Sequence, residues 1–235
     1  MLAGSTCQTW SVLDRRERLA NARLYLVCDE QPDDFLHAAL RGGVDIVQLR
    51  IKDGRDERIV TTGRRYAEAC AAHGALFILN DRPDLVAAAG ADGVHVGQDD
   101  IAVSAARAIV GPDRIVGLST HTPEQVDAAA GLDVDYIGVG PVHETPTKPG
   151  RPAVGLELVR YAAASAAQPF FAIGGITAGN VAAVVGACAR RVAVVRALTE
   201  AGDPEATARA LRDAVVRVAA RERAGREERV GSAQP

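Results

Sequence analysis

Aromatic side chains make up only 4% of this 235-residue sequence, as four Phe, four Tyr and one Trp. With so few rings available, Ala, Val, Leu and Ile must fill the core. Cysteine is equally sparse: Cys7, Cys28, Cys70 and Cys188 stand far apart and no C-x-x-C occurs. That spacing excludes a zinc ribbon and a disulfide-stapled scaffold, and it fits a reducing cytoplasm. No apolar run approaches the ~18 residues of a membrane span. The opening "MLAGSTCQTW" has no basic segment followed by an apolar one, so a secretory signal is not expected. An excess of one charge sign is missing too, since 27 Lys and Arg face 30 Asp and Glu for a net charge of −3. Such a balance leaves no footprint for nucleic acid or for a membrane surface. A cytoplasmic globular protein is the expectation, and a homo-oligomer is compatible with it.

What the chain does have is a repeated pattern: a short apolar run, a polar loop, then an Ala-rich helical stretch that often ends in Gly. The runs predict strands over 23–29, 46–50, 76–80, 93–97, 115–120, 136–141, 170–175 and 192–198. Several are apolar throughout, the mark of strands covered on both faces in a parallel sheet. Between them, "PDDFLHAALRGG" has Pro32 at the first helical position, acids in its first turn and Gly42-Gly43 at its end. "TPEQVDAAAG" and "TAGNVAAVVGACA" each open on a Thr expected to cap, and 203–223 reads as a long amphipathic closing helix. Residues 11–22 read as one extra helix. Eight strands alternating with helices predict an α/β fold, a single (β/α)8 TIM barrel over 11–223, with flexible termini at 1–10 and 224–235. An open doubly wound sheet is the alternative, but "LVCDEQPDD" stands where a G-x-G-x-x-G would follow the first strand.

A barrel places its site at the C-terminal ends of the strands. Six of those ends carry polar groups or glycines. Gln48, Arg50 and Lys52 alternate at the second, so all three face one way. Asn80-Asp81 close the third, Asp99-Asp100 follow the fourth, and Ser119 ends the fifth. The sixth opens into "ETPTKPG" with Thr145, Thr147 and Lys148, and the seventh ends in Gly174-Gly175. Arg50, Lys52 and Lys148 imply an anionic ligand. Asp81 and Asp100 suit a shared hard cation such as Mg2+, which takes one or two carboxylates plus substrate phosphates. Either acid also suits a plain helix cap. Gly174-Gly175 suits a phosphate resting on backbone N–H groups. His95, between Val94 and Val96, reads as a hydrogen-bonded core histidine. His37, His73 and His121 show no partner by spacing.

The motifs "VQLRIKD", "ILNDRPDL", "DGVHVGQDD", "GLST", "IGVGPVHETPTKPG", "AIGGIT" and "VAVVRAL" occur in order between about 23 and 198. Together they resemble the thiamine phosphate synthase family. The resemblance implies a magnesium-dependent transferase that joins a pyrimidinylmethyl diphosphate to a thiazole phosphate and releases diphosphate. It implies that Gln48, Arg50, Lys52 and Asn80 hold the pyrimidine diphosphate, with Ser119 beside it. Asp81 and Asp100 would bind Mg2+, Thr145 and Thr147 the thiazole phosphate substrate, and Lys148 the diphosphate. Gly175 and the backbone of Val195 and Arg196 would complete the thiazole phosphate site. Arg50, Lys52, Lys148 and Ser119 form the implied catalytic set. The chain departs from the pattern in three places: Ile51 replaces an acid, His143-Glu144 replace Phe-Pro, and Arg196 replaces a Ser. A related thiazole tautomerase uses a catalytic His where Pro141 stands here.

Overall fold

The computed structural model describes residues 12–52, 54–145 and 152–231. Eight strands form a closed parallel barrel in chain order: β1 (Leu24–Cys28), β2 (Ile46–Leu49), β3 (Leu76–Asn80), β4 (Gly93–Val96), β5 (Ile115–Thr120), β6 (Tyr136–Val139), β7 (Phe170–Ile173) and β8 (Val192–Val194). Closure is made by β1 against β8, with Leu24, Tyr25 and Leu26 opposite Val192, Ala193 and Val194. The helices are α1 (Val12–Asn21), α2 (Asp33–Arg41), α3 (Asp56–Ala72), α4 (Val86–Ala89), α5 (Val103–Val110), α6 (Pro123–Ala129), α7 (Gly155–Ser165), α8 (Val181–Gly186), α9 (Arg196–Thr199) and α10 (Pro204–Gly231). No helix among the described residues is long and apolar enough to cross a membrane.

Side chains of period two divide each strand between two cores. Leu24, Leu26, Val47, Leu49, Phe77 and Leu79 face outward and pack beneath the helices. Tyr25, Ile46, Leu76, Ile78, Ile115, Tyr136, Phe171 and Ala193 face inward and fill the lumen. Three of the scarce aromatics are spent here. Tyr25, Tyr136 and Phe171 meet edge to face, with ring centroids 5.3–5.9 Å apart. Gly117 makes that possible, because a Cβ there would stand 2.2 Å from Cζ of Tyr136.

The lower end is bolted by acids one residue before even-numbered strands. Asp45 accepts the Arg23 and Leu24 N–H groups at 2.7 and 3.0 Å, Asp92 accepts Phe77 N–H at 3.0 Å, and Asp135 accepts Val116 N–H at 2.8 Å. Each also meets an arginine: Arg15–Asp92 at 2.7 Å, Arg107–Asp135 at 2.6 Å, and Arg212–Asp45 at 3.5 Å. The extra helix α1 is thereby tied across the bottom of the barrel, leaving the opposite end open.

Three local expectations change. Thr122 caps α6 as expected, its hydroxyl accepting Gln125 N–H at 3.3 Å. Thr177 does not cap α8, which starts four residues later; instead Asn180 Oδ1 accepts the Thr177 N–H at 2.8 Å. The last apolar run is strand only to Val194, because Arg196–Thr199 turn into α9. Pro32 precedes α2 rather than opening it. The closing helix runs Pro204–Gly231. Between Pro204 and Gly231 the sequence has no second proline to stop the backbone ladder. The expected flexible segment 1–10 lies outside the described residues.

Candidate active site

A cavity of about 640 Å³ opens at the C-terminal ends of the strands. Gln48, Arg50 and Lys52 all line it, as their alternation requires. Gln48 is buried, Arg50 half-buried and Lys52 exposed, so the row climbs from floor to rim. Arg50 is held at the strand end by its N–H, which donates to Cys28 O at 2.8 Å.

Asn80 ends β3, and its Nδ2 donates to Asp81 Oδ2. Asp81 has φ +59, a left-handed conformation uncommon outside glycine and asparagine, and its N–H donates to His95 O at 2.9 Å. That backbone turn aims the carboxyl into the cavity. Asp81 caps nothing: the one-turn helix at Pro83–Leu85 has no side-chain cap. Asp100 likewise does not cap α5; its Oδ2 accepts Gly97 N–H at 2.8 Å. The two carboxyls meet. Burial first, and then the Asp100 charge, pushes the Asp81 carboxyl up to about 6, while Arg50 pulls it the other way. A pair of oxygen donors that repel each other when both are ionised suits a hard divalent cation. Among the described residues no group of three or more His, Cys, Asp or Glu forms a fuller ligand cage. The donor set therefore fits an ion that completes its shell with phosphates and water.

Ser119 faces the cavity from β5, with Oγ 2.9 Å from His95 Nε2, and its carbonyl accepts Gln98 Nε2 at 2.6 Å. His95 is hydrogen-bonded as expected, yet it also lines the cavity. Its other ring nitrogen lies 3.0 Å from Tyr136 OH. Tyr25 and Tyr136 were not singled out from the sequence, although each is a phenol at an inward position of an otherwise aliphatic strand.

The family model described as thiamine monophosphate synthase matches residues 24–198, from β1 into α9, and so takes in all eight strands. The thiamine-phosphate synthase of Mycobacterium bovis (strain BCG / Pasteur 1173P2) is 50% identical over 216 residues, covering 84% of this chain and 96% of the relative. That of Gloeobacter violaceus is 48% identical over 196 residues, covering 83% of this chain but 58% of the longer relative. Among solved structures, the thiamine phosphate pyrophosphorylase of Pyrococcus furiosus superposes with a TM-score of 0.79 at 31% identity, covering 87% of this chain and 98% of that one. The chain belongs to the thiamine monophosphate synthase family. It is an enzyme, a transferase of thiamine biosynthesis.

For a member of this family, the loop after β6 is the part with most chemistry and most departures. It is pinned to β7 by Val142 N–H donating to Ile173 O at 2.8 Å and His143 N–H to Gly174 O at 3.0 Å. Gly174 and Gly175, at φ +111 and +61, allow the approach. A Cβ on Gly174 would lie 2.5 Å from Pro141 Cα, and one on Gly175 would lie 2.7 Å from His143 Cβ. The glycine pair thus seats the β6 loop as well as opening backbone toward the cavity. Pro141, Glu144 and Thr145 line the cavity. His143 instead packs on Gly175 through its Cβ, and its Nε2 makes no hydrogen bond among the described residues. Thr147 and Lys148 lie outside the described residues. Val195 and Arg196 line the far wall, with the Arg196 guanidinium exposed and 4.0 Å from Glu200.

Proposed function

We propose that this enzyme condenses 4-amino-2-methyl-5-hydroxymethylpyrimidine diphosphate with hydroxyethylthiazole phosphate, giving thiamine phosphate and diphosphate, with magnesium as its cofactor. The observation that carries this reading is the meeting of Asp81 and Asp100 beside Arg50 in a cavity that also holds Gln48, Asn80 and Ser119. A cation-binding acid pair next to a guanidinium suits a diphosphate, and the neutral amide and hydroxyl groups suit a heterocycle that is not charged at the outset.

In the reaction the methylene C–O bond breaks, its electron pair leaves with the diphosphate, and the thiazole nitrogen lone pair forms the new C–N bond. The ring amine can donate electrons toward the methylene, so a dissociative path with a carbocation is favoured. Asp81 and Asp100 would hold the magnesium, which when bound neutralises charge on the diphosphate. Arg50, Lys52 and Lys148 add fixed positive charge where the leaving group gains negative charge. Gln48, Asn80 and Ser119 orient the pyrimidine, and Thr145, Thr147, Gly175, Val195 and Arg196 hold the thiazole phosphate close to the methylene. No general base is required, because the attacking nitrogen carries no proton. The tautomerase alternative needs a proton-transferring side chain at 141, and Pro141 has none. Purified protein given both substrates should form thiamine phosphate with stoichiometric diphosphate. Absence of product under saturating substrates and magnesium would exclude the reaction.

A further inference from the structure

Five polar side chains from five strands form one chain across the cavity floor. Gln48 Nε2 donates to Tyr25 OH at 2.7 Å, and Tyr25 OH lies 2.8 Å from Tyr136 OH. Tyr136 OH lies 3.0 Å from His95 Nδ1, and His95 Nε2 lies 2.9 Å from Ser119 Oγ. Gln48, Tyr25 and Tyr136 are 4%, 2% and 0% exposed, so bulk water does not compete for their protons. Burial pushes both phenols well above their usual range, which keeps each hydroxyl protonated.

The direction of the chain follows from proton counting. Gln48 Nε2 can only donate, so Tyr25 OH accepts from it. Tyr25, having accepted, gives its single proton to Tyr136. Tyr136 then has one proton to give and His95 Nδ1 to receive it. A ring nitrogen that accepts carries no proton, so the imidazole is neutral with its hydrogen on Nε2, and that hydrogen goes to Ser119. The Ser119 proton is not consumed within the chain, and Ser119 borders the cavity. Gln48 Oε1 likewise remains as an acceptor.

We propose that Tyr25, Tyr136 and His95 are positioning residues that form a one-way hydrogen-bond relay, locking His95 as the Nε2–H tautomer and fixing the Ser119 hydroxyl as a donor into the cavity. The site then offers one donor and one acceptor, which matches the ring nitrogen and amino group of an aminopyrimidine. This matching rests on the function proposed above; the relay itself does not. Its chemical value is neutrality: an imidazolium below the ring would oppose the positive charge that the ring must share with the methylene. One glycine keeps the relay in place: Gly117 leaves room for the Tyr136 phenol, where a Cβ would stand 2.2 Å from Cζ.

The test is long-range 15N–1H NMR of the full-length protein, whose five histidines make the imidazole signals assignable with a His95→Gln variant. Wild type should show His95 neutral and protonated on Nε2. In Tyr136→Phe the donor to Nδ1 is lost, so the single tautomer should give way to a mixture. That variant should also lose at least ~10-fold in kcat while KM for the pyrimidine diphosphate moves by less than ~3-fold. Tyr25→Phe should be milder in both readouts, because Tyr136 keeps its proton. A wild-type His95 protonated on Nδ1, or on both nitrogens, overturns the relay even if Tyr136→Phe does not fold. So does a Tyr136→Phe protein with an unchanged tautomer. An Nε2–H imidazole in a protein that forms no thiamine phosphate would leave the relay standing and remove the function proposed above.

Discussion

Asp81→Asn should make this protein more stable in the absence of magnesium while crippling it as an enzyme. The substitution is clean on structural grounds. Asn is among the residues that best tolerate the left-handed φ of +59 found at this position, and its Oδ1 can still accept from Asn80. What disappears is a carboxylate that folding brings against Asp100 and partly removes from water. Burial and the Asp100 charge push the folded carboxyl up to about 6, from the ordinary 3.8 of an aspartate. A group whose acid form is favoured by folding costs stability above its folded pKa, and that cost fades as pH falls through 6 and on toward the unfolded value. Taken in full, that displacement would correspond to about 3 kcal/mol. Asp81 is only partly buried, so solvent screening reduces this to about 1 kcal/mol. For a chain of this size that is roughly 2–4 °C in Tm. In chelator at pH 8, Asp81→Asn should therefore melt a few degrees above wild type, and the two should converge near pH 4. Added magnesium should raise the wild-type Tm and leave the variant unmoved. Turnover should fall by at least ~10-fold, about 1.4 kcal/mol of barrier, and Asp100→Asn should behave alike. A variant that melts below wild type in chelator, or that magnesium still stabilises, would refute the reasoning.

Two further outcomes follow from the geometry and a third from the proposed function. Gly174→Ala forces a Cβ against Pro141 at a positive φ, and should cost about 2–4 kcal/mol in denaturant titration and depress activity with it. Asp135→Ala removes the acceptor for Arg107 and Val116 N–H at the barrel bottom, and should cost about 3–5 kcal/mol while KM for both substrates stays put. Lys148→Ala should lower kcat far more than it raises KM for thiazole phosphate; the opposite pattern would move Lys148 to the other substrate.

The barrel was legible because its strands are apolar on both faces and carry little else, and because period-two alternation assigns each residue to the lumen or the helix side. The same logic brought Gln48, Arg50 and Lys52 to one wall. Where an apolar run is ambiguous, alternation fails: "VAVVRAL" reads as seven strand residues, yet its last three open α9. In the sequence Asp81 suits a cap as well as a cation ligand, with the nearby basic residues favouring the latter; the structure removes the cap, since the turn at Pro83–Leu85 has no side-chain cap. The acids below the barrel were invisible, since Asp45, Asp92 and Asp135 act on backbone groups 15–22 residues away. The relay was invisible for the same reason. Tyr25 and Tyr136 are 111 residues apart and meet only when the barrel closes.

The most direct test of a magnesium-dependent pyrimidinylmethyl transfer is a coupled assay of thiamine phosphate formation and diphosphate release, run on the purified protein as magnesium is titrated after chelation. Product and diphosphate should appear in equal amounts, rise with magnesium to a plateau, and fall to background in chelator. Equal turnover with and without magnesium would contradict the assignment of Asp81 and Asp100 as its ligands.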